Sequence, residues 1–505
     1  MAAVDVPYHL VKACRGIIFA ARGSDIHSFN SSFEHISTWK YPSAKGETQS
    51  EAQSSPAPEG PPAKRRKLEE GEEPASNGRE ASSANVNGQG KPKGWQDSNP
   101  ALETPWIQGL YITSDGHHVV AITNSDKTIW VFEHDGAGNL KQLSQRPMPK
   151  RPCALAIMPD DRVLLSADKF GDVYALPLTP SDHLPIPSQH TLISRSVTPG
   201  TPSTTGGSTP IPRLKADETV VHTKRNLKAL ENQKKAALER KQPIAQDNRP
   251  QFEHALLLGH VSMLTAICVA QATSPVDGKT RTYILTGDRD EHIRVSRGAL
   301  AQAHVIEGFC MGHEEFVSRL CMVKPASGQG NDVLVSGGGD DDLYSWDLVH
   351  NKLVGKAPLL PRVQEVVGEE ANKLAVTRIV AQKDEKGSWV WVICERVPAL
   401  FRYQLQEDST LRHSETIKIP GNPLDVAILG TSSSTRLLVA MEPSEQGFSS
   451  LLVVEKASEG ETDWKQTPVP NLPEGSAPGG VKIGAEELRK ILYTTESLRK
   501  LTDFD

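Results

Sequence analysis

The sequence predicts an all-β fold, a seven-bladed propeller carrying two long disordered insertions and ending in a short helix. Three observations predict it. Short runs rich in Val, Ile, Leu and Tyr recur between Gly, Asp and Asn turns. One strand–turn–strand pattern returns four times, over residues 121–133, 165–176, 285–296 and 335–347. Seven candidate units also share about 320 residues, roughly 46 each, close to the period of a four-stranded blade.

Residues 1–41 supply the first strands, in the unit Tyr8 to Trp39, and a blade completed jointly by both termini is expected. From 42 to 100 the chain is rich in Ser, Glu, Pro, Gly and Asn and nearly free of branched apolar residues, so burial cannot offset the entropy of ordering it. This is the first disordered insertion. It carries the basic cluster Lys64, Arg65, Arg66 and Lys67, which suits nuclear import and places the protein in the nucleus, although such a cluster can also be incidental charge patterning.

Blades resume over 101–178 with units Trp106 to Asp135 and Arg151 to Leu178. A second insertion, 179–253, opens with a Ser/Thr/Pro tract and ends in a charged, helix-favouring stretch at 223–241. Its cations could follow a phosphate backbone, or the stretch could be a solvated helix. The remaining blades fall in 254–457, as His254 to Arg297, Ala303 to Leu348, Val363 to Leu405 and Ile417 to Lys456. Residues 458–505 form a polar tail with an amphipathic helix on which Leu488, Ile491, Leu492 and Leu498 share a face.

Composition excludes several classes. The chain has 505 residues, only 37% of them hydrophobic, and a formal net charge of −6, which argues against electrostatic binding of nucleic acid by the whole molecule. No apolar run is long enough for a membrane helix, and residues 1–20 lack a signal-peptide pattern, so secretion is not expected. The six cysteines contain no C-x-x-C pair and read as buried thiols of a reducing compartment.

Gly-His pairs precede two of the recurring patterns, and Trp346-Asp347 closes one of them. Gly-His followed at a distance by Trp-Asp marks a WD40 repeat. A His that bonds the turn Asp locks the turn between two strands. The full set is His313, Ser336, Asp340 and Trp346. The preceding repeat offers His260, Thr286 and Asp290, but Ser296 stands where the Trp would be.

No catalytic constellation is found. Gly337-Gly338-Gly339 lacks the Lys-Ser/Thr of a phosphate loop, Asp340-Asp341-Asp342 reads as a turn with solvated tips, and no dinucleotide fingerprint or nucleophile elbow occurs. No cofactor or metal site is expected, and the protein is not read as an enzyme. The charged turn Asp288-Arg289-Asp290-Glu291-His292 stands out. It is either an ordinary solvated blade tip or a partner-docking surface.

The block 288–296, the segment Gly308 to Leu320, Ser336 to Asp340 and Phe170 to Tyr174 closely resemble the WD-repeat, non-catalytic subunits of the tRNA (guanine-N7)-methyltransferase. The resemblance is dense over about 106–178 and 254–348 and absent from the insertions and the tail. It implies a protein that binds and stabilises a separate catalytic subunit, which forms N7-methylguanosine in the tRNA variable loop with methyl from S-adenosylmethionine. The partners implied are that subunit, as a heterodimer, and tRNA held mainly through it. The docking residues implied are Arg289, Glu291, His292 and Arg294, with Glu314, Glu315 and Phe316 in the following blade; the family often has Lys where His292 stands. Arg294→Glu, with Arg289→Glu, is expected to weaken docking while leaving the propeller folded. The alternative is a nuclear WD-repeat scaffold of another assembly, such as ribosome maturation or a ubiquitin ligase.

Overall fold

The computed structural model describes residues 3–42, 104–185, 252–430, 435–443, 448–456, 463–473 and 483–500. The basic cluster at 64–67 and the charged stretch at 223–241 lie outside them.

Seven four-stranded antiparallel sheets form the blades of a propeller, each built from four consecutive strands. They occupy residues 10–39, 107–147, 152–259, 264–310, 317–358, 376–418 and 421–468. The third blade takes its outer strand, Ala255–Gly259, from beyond the second insertion, pairing Tyr174 with Leu256 and Val173 with Leu258. The blades are therefore offset from the sequence units. The unit read as His254 to Arg297 begins with the outer strand of the third blade, because Gly259-His260 joins that strand to the inner strand of the fourth.

Among the described residues no blade is shared between the termini, contrary to expectation. A separate two-stranded ribbon joins them instead, Ala3–Val4 against Ile483–Gly484. Inner strands of six blades carry a bulge near their start, for example between Val317 and Arg319 and between Val376 and Arg378. A bulge twists the strand locally and re-aims its side chains.

Apolar side chains alternate along the strands and meet between neighbouring blades. Val335 and Leu343 of the fifth blade pack with Val376, Val390 and Phe401 of the sixth. A short helix, α1 (Leu360–Val367), links these two blades and buries Val363. The C-terminal helix, α2 (Ala485–Leu492), buries Leu488 against Val6, Trp106 and Ile483, with Ile491 and Leu492 at the edge. Leu498 does not share that face. It lies in a separate 3-10 turn, Glu496–Leu498, because the helix has ended at Leu492. All six cysteines are unpaired, and burial raises their thiol pKa values, Cys310 to about 12.

Candidate functional site

The fifth blade carries the expected network in full. Trp346 Nε1 donates to Ser336 Oγ at 2.7 Å, the Ser336 hydroxyl donates to His313 Nε2 at 2.7 Å, and His313 Nδ1 donates to Asp340 at 2.6 Å. Asp340 also accepts from the Glu314 amide at 2.8 Å and from the Tyr344 hydroxyl at 3.2 Å. A four-residue relay thus pins both the turn and the loop entering the blade. The glycines of 337–339 are structural: a Cβ at Gly338 would run into the carbonyl of Phe316, the residue just before the adjacent strand.

The fourth blade departs from the expected arrangement. His260 accepts from the Thr286 hydroxyl at 2.8 Å, but its Nδ1 donates to the Gly171 carbonyl at 3.1 Å and does not reach Asp290. The turn is held by Asp288, whose Oδ1 accepts from the amides of Asp290 and His292 at 2.9 Å each. Asp168 holds the third blade's turn in the same way, through Phe170 and Asp172. The signal for this was an Asp two residues beyond the strand's Ser or Thr, at Ser166 and Thr286.

Arg294 explains the difference. It lies directly across from Thr286, is 9% exposed, and donates to Ser296 Oγ and to the Gly259 carbonyl, each at 3.1 Å. With Ser296 in place of the Trp, a guanidinium occupies the face that the indole fills in the next blade. Burial and then the Arg294 charge bring the His260 pKa down to about 4. Arg294 is therefore a blade residue, and Arg294→Glu would break the blade rather than a surface contact. Phe316 is likewise buried, at 1% exposure.

The other docking candidates do gather on one face, but three of them meet the chain's own C-terminus. Residues 493–500 run from α2 across the turns of the fourth to sixth blades as a strap. Arg289 Nε donates to the Leu498 carbonyl at 2.7 Å and its Nη2 to the Arg499 carbonyl at 3.4 Å. Lys500 pairs with Glu291 at 2.8 Å and with Asp290 at 3.1 Å. Arg499 pairs with Glu315 at 2.8 Å, donates to the carbonyls of Gly339 and Leu374, and lies 5.5 Å over the Phe316 ring. Glu395 accepts from the amides of Thr495 and Glu496 at 2.7 and 3.2 Å. His292, its side chain 43% exposed, and the exposed Glu314 are left outside these pairs. The strap went unread in the sequence, where Arg499-Lys500 looks like any polar tail.

Comparison with known proteins follows the same lines. A family model described as the tRNA methyltransferase TRM82 WD40 domain matches residues 18–462. The tRNA (guanine-N(7)-)-methyltransferase non-catalytic subunit trm82 of Sclerotinia sclerotiorum is 41% identical over 458 residues, covering 84% of this chain and 82% of that protein. The subunit of the same name from Aspergillus fumigatus Af293 is 36% identical over 428 residues, covering 79% and 81%. Among solved structures, U3-55K superposes with a TM-score of 0.50 at 11% identity, covering 90% of this chain and 96% of that one, which is a likeness of fold alone.

Proposed function

The chain belongs to the TRM82 family of WD-repeat, non-catalytic subunits of the tRNA (guanine-N7)-methyltransferase, and on that premise we propose that it binds and stabilises a catalytic methyltransferase subunit. That heterodimer forms N7-methylguanosine in the tRNA variable loop, with tRNA held mainly by the partner. The observation that carries this reading is the match over nearly the whole propeller to subunits named as non-catalytic, since such a subunit needs a catalytic one.

Docking on the turn face of the fourth and fifth blades fits the residues found there. His292 and Glu314 are open to a partner, and Arg289, Glu291 and Glu315 stand beside them under the strap. Asp288 presets the turn that presents Arg289, Glu291 and His292, so less ordering is needed on binding. The cluster at 64–67 supports a nuclear location.

Affinity purification of the full chain from separate nuclear and cytoplasmic extracts, followed by mass spectrometry and a tRNA methylation assay, tests the whole reading. A methyltransferase is expected to co-purify, and Arg289→Glu combined with Glu291→Lys to weaken its retention about tenfold or more. A complex of other nuclear factors with no methyltransferase would favour a different scaffold role. Recovery from the cytoplasmic fraction alone would remove the nuclear assignment.

A further inference from the structure

Inner strands of successive blades line a central channel, and several cations lie along it. Arg319 and Arg378 each follow the bulge of their own strand. Arg319 Nε and Arg378 Nη1 both donate to the Thr377 carbonyl, so two guanidinium groups converge on a single oxygen. Arg319 Nη1 donates to the Ser318 carbonyl at 2.7 Å, and no carboxylate pairs with Arg319 among the described residues. Nearby, the fully buried Asp425 pairs with Arg378 at 2.9 Å and with Lys12 at 3.2 Å, and accepts from the Val11 amide at 3.0 Å.

Arg151 adds a further cation. Its Nε and Nη2 reach only the side-chain oxygen of Gln108, at 3.3 and 2.9 Å. The acid in the wall, Glu395, is engaged by the strap amides. Three arginines of the cavity wall thus face one carboxylate of that wall, with Asp425 behind Arg378. Burial, and then the like charge of Arg378, bring the Arg319 pKa down to about 10. Arg151, Arg319, Arg378 and Glu395 line a cavity of about 160 Å³ together with Tyr493, Thr494 and Thr495 of the strap, and Lys12 and Asp425 lie outside that lining.

Clustered guanidinium groups in a confined space repel one another unless a counter-charge is supplied. We propose that this cavity binds a small oxyanion, inorganic phosphate or a phosphate monoester, held chiefly by Arg319 and Arg378 with Arg151 at its side. The volume suits an anion with a few waters and falls below the ~300 Å³ at which pockets for larger ligands begin. The proposal does not depend on the identity of the protein partner.

Thermal melts and isothermal titration of the full chain test it, using inorganic phosphate, glycerol phosphate and, at matched ionic strength, sodium chloride. A saturable rise in melting temperature with either phosphate, beyond that in chloride, is expected. Arg319→Gln is expected to weaken binding about tenfold or more. Arg281→Gln, an exposed arginine that does not line the cavity, is expected to bind as the parent does. Tighter binding of glycerol phosphate would identify a monoester, and tighter binding of inorganic phosphate the free ion. Equal responses in parent and Arg319→Gln, or a phosphate response no larger than that of chloride, would overturn the site. If Arg319→Gln does not fold, Arg151→Gln decides in its place, and an affinity equal to the parent's has the same force.

Discussion

Trp346 carries more of the fifth blade than its surface area alone implies. It is wholly buried, and its indole N–H begins the relay through Ser336 and His313 to Asp340. Trp346→Ala is expected to destabilise the protein by about 3–5 kcal/mol, read from urea unfolding; a loss under about 1 kcal/mol would mean that the blade repacks around the gap. These four residues were legible in the sequence because their spacing is set within one blade and the loop that enters it. The choice of Asp288 over Asp290 was not. Both acids flank the same turn, and the choice follows from the Gly171 carbonyl of the preceding blade, which takes the His260 N–H.

At the scale of elements, strands were readable from alternation and turn residues, and α2 from its apolar face. The strap was not, since its contacts are main-chain carbonyls and long side chains with no periodicity to mark them. Exposed ion pairs contribute little to global stability, about 0.2–1 kcal/mol each. Lys500→Glu places like charges beside Asp290 and Glu291, so the melting temperature is expected to stay nearly unchanged while local opening becomes easier. Hydrogen exchange at residues 494–500 is expected to speed up about two- to fivefold, with the strands unaffected. Unchanged exchange there would show that the strap is held by Arg289, Arg499 and Glu395 alone.

Closure of the ring governs the molecule as a whole. Packing neighbouring blades traps imidazoles, and burial lowers the pKa values of His9, His27, His260 and His413, His27 and His260 to about 4. An unfolded histidine titrates near pH 6.5, so below that the unfolded chain binds more protons than the folded one. These histidines therefore reduce stability as the pH falls from about 6.5 toward 4. Asp168, Asp288 and Glu395, whose pKa values burial raises, act in the opposite direction as their folded forms take up protons. Pairing a variant with its parent isolates one group. The melting temperature is expected to fall between pH 7 and 5, and His260→Gln to flatten part of that slope; parallel curves for the two proteins would show that His260 does not contribute.

The sequence by itself determined the ring of blades, the polar relay at His313 and the charged turn at 288–292, because each is written within the length of one blade: the ring as its repeat, the relay as residues 313–346 and the turn as five adjacent residues. Family membership was legible for the same reason, in a compact block of adjacent residues. Tertiary structure decided which of those residues remain accessible. Arg294 turned inward because Ser296 left the space of an indole, and Phe316 went beneath Arg499. Arg289 met Leu498 across more than two hundred residues of chain, a contact created by ring closure and without a local pattern. The same closure brought Arg319 and Arg378, from separate blades, to one carbonyl oxygen.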